Sequence, residues 1–504
     1  MSLYNETDIT TLSNNWNRIK SEAEEQKYLM IEPSKQEMIE VHNIICKFVI
    51  EKKRKIYGGF GLNLLIKNKN PNDVIYKPND IPDIDFYSPN PIVDLVELCN
   101  ILHSSGFKLV LGKEAQHQET YNITVNFLTY CDITYVPKNI YNTMPFDTIE
   151  KFTIIHPHYM WIDYLRIFSD PILSYWRIDS ELKSFKRFFL LQQYYKMPIN
   201  KYAIVMNMDE NDENTIYVEK SLNEIFKFII NNSTIIVIGT FAYNYFLKES
   251  GLLNSKKNMF KLINIPYFEL ISINYKNDCL DLIDILKNIP MIDSSKLTYH
   301  EFYPYFQFTD FSVEICYGDY VICRIYNNNK KCIQFMDVQT IDFLHNTKQN
   351  NTIKLASFHT VLLYSMIQIM RAKTQKDDNE KQLYYSITSH LIQMRNYYLD
   401  KNQKTMIDDS IFKEFTSKCI GDTIPPDRYR KMIIESRKKK NKRWMFSYEP
   451  AEGLKEPETT YLFSNTSGNK IITERNLKLS SITTNEIDEN IDDENTVDEN
   501  IIDE

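Results

Sequence analysis

KIYGGFGLNLLIK, residues 55–67, is the stretch on which the fold turns. Lys55-Ile56-Tyr57 reads as a short strand, Gly58-Gly59 as a turn and LNLLIK as the start of a helix. The chain has only 11 glycines, about 2% against a usual ~7%, yet Gly58, Gly59 and Gly61 fall within four positions. Glycine is placed where backbone must turn tightly or approach a ligand closely. A glycine turn at a helix N-terminus also offers free amides and a favourable dipole to an anion.

Upstream, Ser34-Lys35-Gln36-Glu37 forms a capping-box pattern ahead of Met38, Val41, Ile44, Ile45, Phe48 and Val49 at helical spacing. Downstream, the text turns to strand from Ile81, with Asp83 and Asp85 sent to one face and Ile84 to the core. A helix is expected at 91–104, then strands at 108–111, 120–127 and 129–136, with Asp132 in the middle of the last. After Pro145 the chain becomes helical and aromatic (HPHYMWIDYLRIF, then SELKSFKRFFLLQQYY), with a break at Asp170-Pro171. Helical text resumes at 352–400.

The same pattern returns about 181–184 residues later. IVIGTFAYNYFLK (236–248) lies under the opening stretch, matching Gly58 with Gly239 and Asn63 with Asn244. FELISINYKNDCLDLIDIL (268–286) lies under residues 84–102, and VEICY (313–317) under CDITY (131–135). On this alignment Asp85 becomes Glu269, Asp83 becomes Tyr267 and Asp132 becomes Glu314. The reading is a duplicated α/β (α+β) domain, one copy active and one degenerate, with helical additions and a disordered acidic C-terminal tail. The expected organisation is an extension at 1–34, a catalytic domain at 35–150, a helical connector at 151–200, the degenerate copy at 201–335, a helical and basic/aromatic region at 336–480, and the acidic tail at 481–504.

Hydrophobic content of 43% in 504 residues supports more than one buried core. The net charge of −8 misleads, because residues 486–504 carry ten acids and no Lys or Arg; removing those ten charges leaves the rest near +2. RYRKMIIESRKKKNKR at 428–443 is the densest basic run, so a polyanion-binding face is compatible with the low pI. Eight scattered cysteines without C-x-x-C spacing point to reduced thiols, no zinc site and an intracellular, reducing compartment. No stretch approaches the roughly 18 apolar residues of a membrane span, so no membrane partner is expected.

D-x-D alone is expected by chance in so Asp-rich a chain, and Gly-Gly alone is more often only a turn. Their order carries the inference: a glycine turn opening a helix, two carboxylates on one strand face, and Asp132 on a neighbouring strand. Nucleotidyl transfer needs this set, since carboxylates hold the divalent ions that offset charge at the α-phosphate while glycine amides meet the triphosphate. Arg166, Lys183, Lys186 and Arg187 are candidates for the β- and γ-phosphates, though a solvated helix face is the commoner reading of each. His156 and His158 flank Pro157 and read as a structural loop. Arg428, Arg430, Arg437, Lys438, Lys439, Lys440, Lys442, Arg443 and Trp444 mix cations and an aromatic as a single-stranded RNA surface does; a packed aromatic strand beside a basic helix explains them equally.

At IYGGFGLNLLI, DIDFYSPNP and CDITYVP the chain resembles the polymerase-β-like nucleotidyltransferases. With HPHYMWIDYLRIFSDP and KNKRWMFSYEP it is more similar still to the poly(A) polymerase catalytic subunits of large DNA viruses, of mimivirus and megavirus type and more distantly poxvirus-like. The resemblance spans most of 35–450; Gly59 stands where many relatives have Ser. It implies a template-independent enzyme adding AMP from ATP to the 3′ end of mRNA, using Mg²⁺ or Mn²⁺. Asp83 and Asp85 would bind both metals and Asp132 the one at the primer hydroxyl, with Gly58 and Gly59 on the triphosphate. It further implies work in the host cytoplasm, in a viral factory, or in the virion, and leaves open a homodimer or a separate processivity subunit. The alternatives are an oligoadenylate-type or small-substrate adenylyltransferase and, from another class, a non-catalytic RNA-binding scaffold.

Overall fold

Some of the helices begin where spaced apolar residues follow a capping side chain. The computed structural model describes residues 3–30, 33–77, 80–117, 119–179, 182–204, 212–253, 259–328, 331–340, 351–439 and 445–452; the expected acidic tail lies outside them. α1 is Glu6–Met30 and α2 is Lys35–Glu51, where Ser34 accepts a hydrogen bond from the Glu37 amide and Val41, Ile45, Phe48 and Val49 are buried. β1 (Lys55–Tyr57) passes directly into α3 (Gly58–Lys69), followed by β2 (Ile84–Ser88), α4 (Pro91–Ser104), β3 (Leu111–Glu114), β4 (Thr120–Val125) and β5 (Leu128–Tyr135). Next come α5 (Lys138–Thr143), β6 (Phe146–Ile149), β7 (Phe152–Ile155), α6 (Pro157–Phe168), α7 (Pro171–Asp179) and α8 (Lys183–Tyr194).

The second run repeats the first: α9 (Thr215–Asn231), β8 (Ile235–Ile238), α10 (Gly239–Ser250), β9 (Phe268–Ser272), α11 (Tyr275–Lys287), β10 (Leu297–Phe302), β11 (Ser312–Tyr317), β12 (Tyr320–Asn327), β13 (Ile333–Thr340) and β14 (Asn351–Ala356). α12 (Phe358–Gln375), α13 (Asp378–Lys401), β15 (Cys419–Ile420), α14 (Pro426–Lys439) and β16 (Ser447–Tyr448) follow.

Among the described residues two eight-stranded sheets result, ordered β16-β3-β4-β5-β2-β1-β7-β6 and β10-β11-β12-β9-β8-β14-β13-β15. In each, the strand before the glycine turn runs antiparallel to the next strand in sequence, which pairs in parallel on its other side: β1–β2–β5 in one, β8–β9–β12 in the other. Smaller details recur. Ser88 donates to Asp94 and accepts from the Asn90 amide, as Ser272 does with Asp278 and the Asn274 amide. Asn63 accepts from the Ile75 amide, as Asn244 does from that of Ile263.

The core of the first sheet is apolar and closed, with Ile84 and Phe86 of β2 fully buried and Phe48 of α2 against Phe86. A side chain so buried contributes about 1.5–3 kcal/mol relative to leaving it in water. By packing, the chain divides into two compact units, one built on Met1–Tyr135, Thr148–Ile154 and a segment from Met445, the other on Val136–Asp147 and Ile155–Trp444.

Several expectations are corrected. β3 starts at Leu111 rather than Lys108, because Leu109 adopts φ +51, which no extended strand tolerates. Residues 351–356 form β14 rather than helix: Ile353 and Leu355 alternate into the core, and the helix waits for Ser357, which accepts from the Thr360 amide. Cys332 and Cys419 are joined in a disulfide where β13 and β15 run side by side, against the expectation that all thiols are reduced. A sequence separation of 87 carries no framework signal.

Candidate active site

Gly58 is required twice. Its φ of +66 favours a residue without Cβ, and a Cβ built there would lie 2.0 Å from Asp85 Oδ2. The turn presses the start of α3 against a carboxylate. Tyr57 makes no cap hydrogen bond and the first turn of α3 holds no acid, so the carboxylate at this helix start comes from β2 and not from the helix itself.

Register positions the other acids. Asp85 lies opposite Tyr57 on β1 and opposite Asp132 on β5, and Asp132 lies opposite Asn122 on β4. Asp83 was expected in the strand; it stands immediately before β2 and is exposed. Asp132 is half-buried, and its Oδ1 has no hydrogen-bond partner among the described residues. Burial pushes its carboxyl up to about 6, and the Asp83 charge adds to the effect. Among the described residues no three His, Cys, Asp or Glu side chains converge as a complete metal-ligand group. The donor chemistry nonetheless fits divalent cations: a buried carboxylate oxygen without a proton donor, beside a second carboxylate in register and within the field of a third.

In the second sheet Gly239 keeps φ +67, and its Cβ would lie 2.0 Å from Glu269 Oε2. Glu269 lies opposite Ile238 and opposite Arg324, as Asp85 lies opposite Tyr57 and Asp132. Sheet order therefore makes Arg324, not Glu314, the counterpart of Asp132. Glu314 sits on β11 opposite Arg324, the place of Asn122. The Arg324 guanidinium is 2.7 Å from Glu314, 3.1 Å from Glu380 and 3.8 Å from Glu269, and Arg371 is 3.0 Å from Glu314. Sequence comparison missed Arg324 because VEICY shares the alternation of CDITY while the pairing partner is invisible.

The remaining candidates divide. Arg166, on α6, is half-buried, 3.3 Å from Asp163 and above the Phe308 ring at 5.5 Å. Lys183 and Lys186 are exposed on α8, and Arg187 is half-buried. His156 caps α6 by accepting from the His158 amide, and burial, with His158 and Lys373 adding to it, holds its ring near pKa 4 and thus neutral; the pair stands at a helix start rather than in the expected loop. Arg428, Arg430, Arg437, Lys438 and Lys439 lie on α14, whereas Lys440, Lys442, Arg443 and Trp444 lie outside the described residues. Phe446 and Tyr448 are buried, and β16 pairs with β3, so this aromatic part of the segment is core.

Residues 43–174 match the family described as "Poly(A) polymerase catalytic subunit", and residues 191–481 match "APMV, Putative poly(A) polymerase, catalytic subunit, C-terminal". A "Putative poly(A) polymerase catalytic subunit" of Acanthamoeba polyphaga mimivirus is 34% identical over 93% of this chain and 83% of its own length. The chain belongs to the poly(A) polymerase catalytic subunit family. It is thereby a nucleotidyltransferase of the polynucleotide adenylyltransferase kind. The crystal structure of the megavirus polyadenylate synthase superposes with a TM-score of 0.81 at 32% identity, covering 94% of this chain and 93% of that one. A protein of the same name as the mimivirus one, from African swine fever virus, is 31% identical over 36% of this chain and 39% of its own. Among the described residues no helix is long and apolar enough to cross a membrane.

Proposed function

We propose that this chain is a template-independent poly(A) polymerase that adds AMP from ATP to the 3′ end of mRNA by two-metal transfer at Asp83, Asp85 and Asp132. The observation that carries this reading is the pressing of the Gly58 turn onto Asp85, itself in register with Asp132. Asp83 and Asp85 would hold both Mg²⁺ or Mn²⁺ ions, and Asp132 the one serving the primer hydroxyl. Such ions lower the pKa of a bound hydroxyl and offset charge on the phosphates.

The chain's own part is orientation. Amides at Gly58 and Gly59, at the N-terminus of α3, receive the triphosphate. Asp132, half-buried and without a donor on Oδ1, accepts a cation more readily than a solvated carboxylate would. Arg166, Lys183, Lys186 and Arg187 are assigned to the β- and γ-phosphates, and the α14 cations with Lys440, Lys442, Arg443 and Trp444 to the RNA. Primer extension by the purified full chain, with each of the four NTPs and with or without Mg²⁺, tests the whole reading. Long RNA-linked ladders from ATP alone are expected. Short 2′-5′ oligomers or a modified small molecule would assign the other transferases, and no metal-dependent transfer would leave an RNA-binding scaffold.

A further inference from the structure

A cavity of about 330 Å³ opens beside Asp83 in the first unit. Pro82 and Asp83 ahead of β2, Met38 of α2, Asn126 of the β4–β5 turn, and Leu128 and Tyr130 of β5 contribute to its wall. The strand is irregular at this point. Cys131 lies opposite Ile123 and Thr129 opposite Thr124, which leaves Tyr130 as the extra residue of a β-bulge. Bulges re-aim the side chain they carry and recur beside active sites. Tyr130 is 4% exposed, and its buried hydroxyl has no hydrogen-bond partner among the described residues. Native structures rarely leave such a group unmet unless a ligand or water meets it.

Strand order says which substrate this cavity suits. β2 lies between β1 and β5. The glycine turn flanks Asp85 from the β1 side, whereas the cavity is built on the β5 side, that of Asp132. Phosphoryl transfer needs attacking and leaving oxygens roughly in line, so the acceptor and the pyrophosphate lie on opposite sides of the reacting phosphorus. The chemistry of the wall agrees: Met38, Pro82 and Leu128 suit the faces of a base or ribose, Lys27 suits a backbone phosphate, and the Tyr130 hydroxyl suits a ribose hydroxyl. At the tip of the same turn Phe127 holds φ +66 with its ring 85% exposed. A bulky residue seldom adopts that backbone, and an exposed ring is a stacking platform for a base.

Resting on the assignment of the carboxylates as the transfer site, we propose that this cavity receives the 3′-terminal nucleotide of the RNA acceptor. Tyr130 hydrogen-bonds its ribose, and Phe127 stacks on the preceding base.

The test uses the full chain, a fluorescent oligoadenylate titrated without nucleotide, and steady-state extension of the same oligomer. Tyr130→Phe keeps the ring and removes the hydroxyl; Leu128→Trp fills the cavity from a partly exposed position; Phe127→Asn removes the ring while tolerating positive φ. Each should raise Kd and KM for oligoadenylate, roughly five- to tenfold for Tyr130→Phe, with KM for ATP unchanged. Wild type should prefer a ribose over a 2′-deoxy terminus, and Tyr130→Phe should lose that preference, which a merely structural role would not produce. Wild-type primer affinity in Tyr130→Phe and Leu128→Trp, or a loss that falls on KM for ATP, overturns the proposal. If the wild-type chain transfers no AMP, the catalytic assignment itself falls, and this inference with it.

Discussion

Arg324 lies opposite Glu269 across β12 and β9, at the register position where Asp132 lies opposite Asp85 across β5 and β2. One sheet sets two carboxylates side by side, with no guanidinium at the paired position. The other brings its own cation, with Glu314 and Glu380 at hydrogen-bond distance from it. A buried charge is tolerated only when paired and hydrogen-bonded. The second site is therefore electrically complete without a metal, which supports placing transfer in the first.

Removing that internal cation should be costly. Arg324→Met leaves Glu269 and Glu380 without this guanidinium and Glu314 with Arg371 alone, in a region where Arg324 and Glu269 are nearly inaccessible, and should lower stability by about 3–5 kcal/mol. Chemical denaturation measures it. Adding Glu314→Gln should restore part of the loss, and a cost near zero would show that solvent reaches the cluster.

Glu269 gives this region a pH signature. Burial raises its carboxyl to about 7, with Arg324 opposing the shift. Between its ordinary value of 4.5 and about 7 the folded chain keeps a proton that the unfolded chain has released, so the Glu269 contribution to stability falls as pH rises through that window. Glu314 stays flat there: burial works against its charge, but Arg324 and Arg371 hold it down at about 2. The Tm of Glu269→Gln relative to wild type should climb from pH 5 to pH 8. A difference that shrinks over this range would refute the assignment.

Single substitutions of Asp83, Asp85 or Asp132 by Ala should each reduce AMP transfer by roughly a thousandfold or more, since each loses several kcal/mol of metal-borne transition-state stabilisation. Circular dichroism should be unchanged. Substantial residual activity in Asp83→Ala or Asp85→Ala would remove these residues from the site.

The two glycine turns separate structure from function. Gly58→Ala and Gly239→Ala each force a methyl against a carboxylate oxygen at 2.0 Å with φ near +66. Each should destabilise by at least about 1–2 kcal/mol from the backbone alone. Below its Tm, Gly239→Ala should retain transfer whereas Gly58→Ala should not, and equal loss in both would deny the turns their separate roles.

Lys438 and Lys439 are exposed near the end of α14. If they contact RNA phosphates, replacing both with Ala should flatten the slope of log binding constant against log salt by roughly 1.4, at about 0.7 per phosphate on a single strand. Fluorescence titrations at several salt concentrations read the slope directly, and an unchanged one takes α14 out of the RNA path.

Local requirements were legible in the chain alone. The strand, glycine turn and helix at 55–67, and their echo at 236–248, follow from the conformational demand at Gly58 and Gly239 and from the spacing of neighbouring apolar residues. The order of Asp83, Asp85 and Asp132 behind the glycine turn, on which the proposed site rests, was legible too. Which residue faces which was not, because every strand has the same two-residue alternation and pairing is decided by contacts far apart in sequence. Only the assembled sheets show that Arg324 rather than Glu314 stands in the place of Asp132, that Cys332 meets Cys419, and that a bulge turns Tyr130 into the cavity wall beside Asp83. The order of Asp83, Asp85 and Asp132 is a property of the sequence; the guanidinium that stands in the place of Asp132 in the second copy is a property of register.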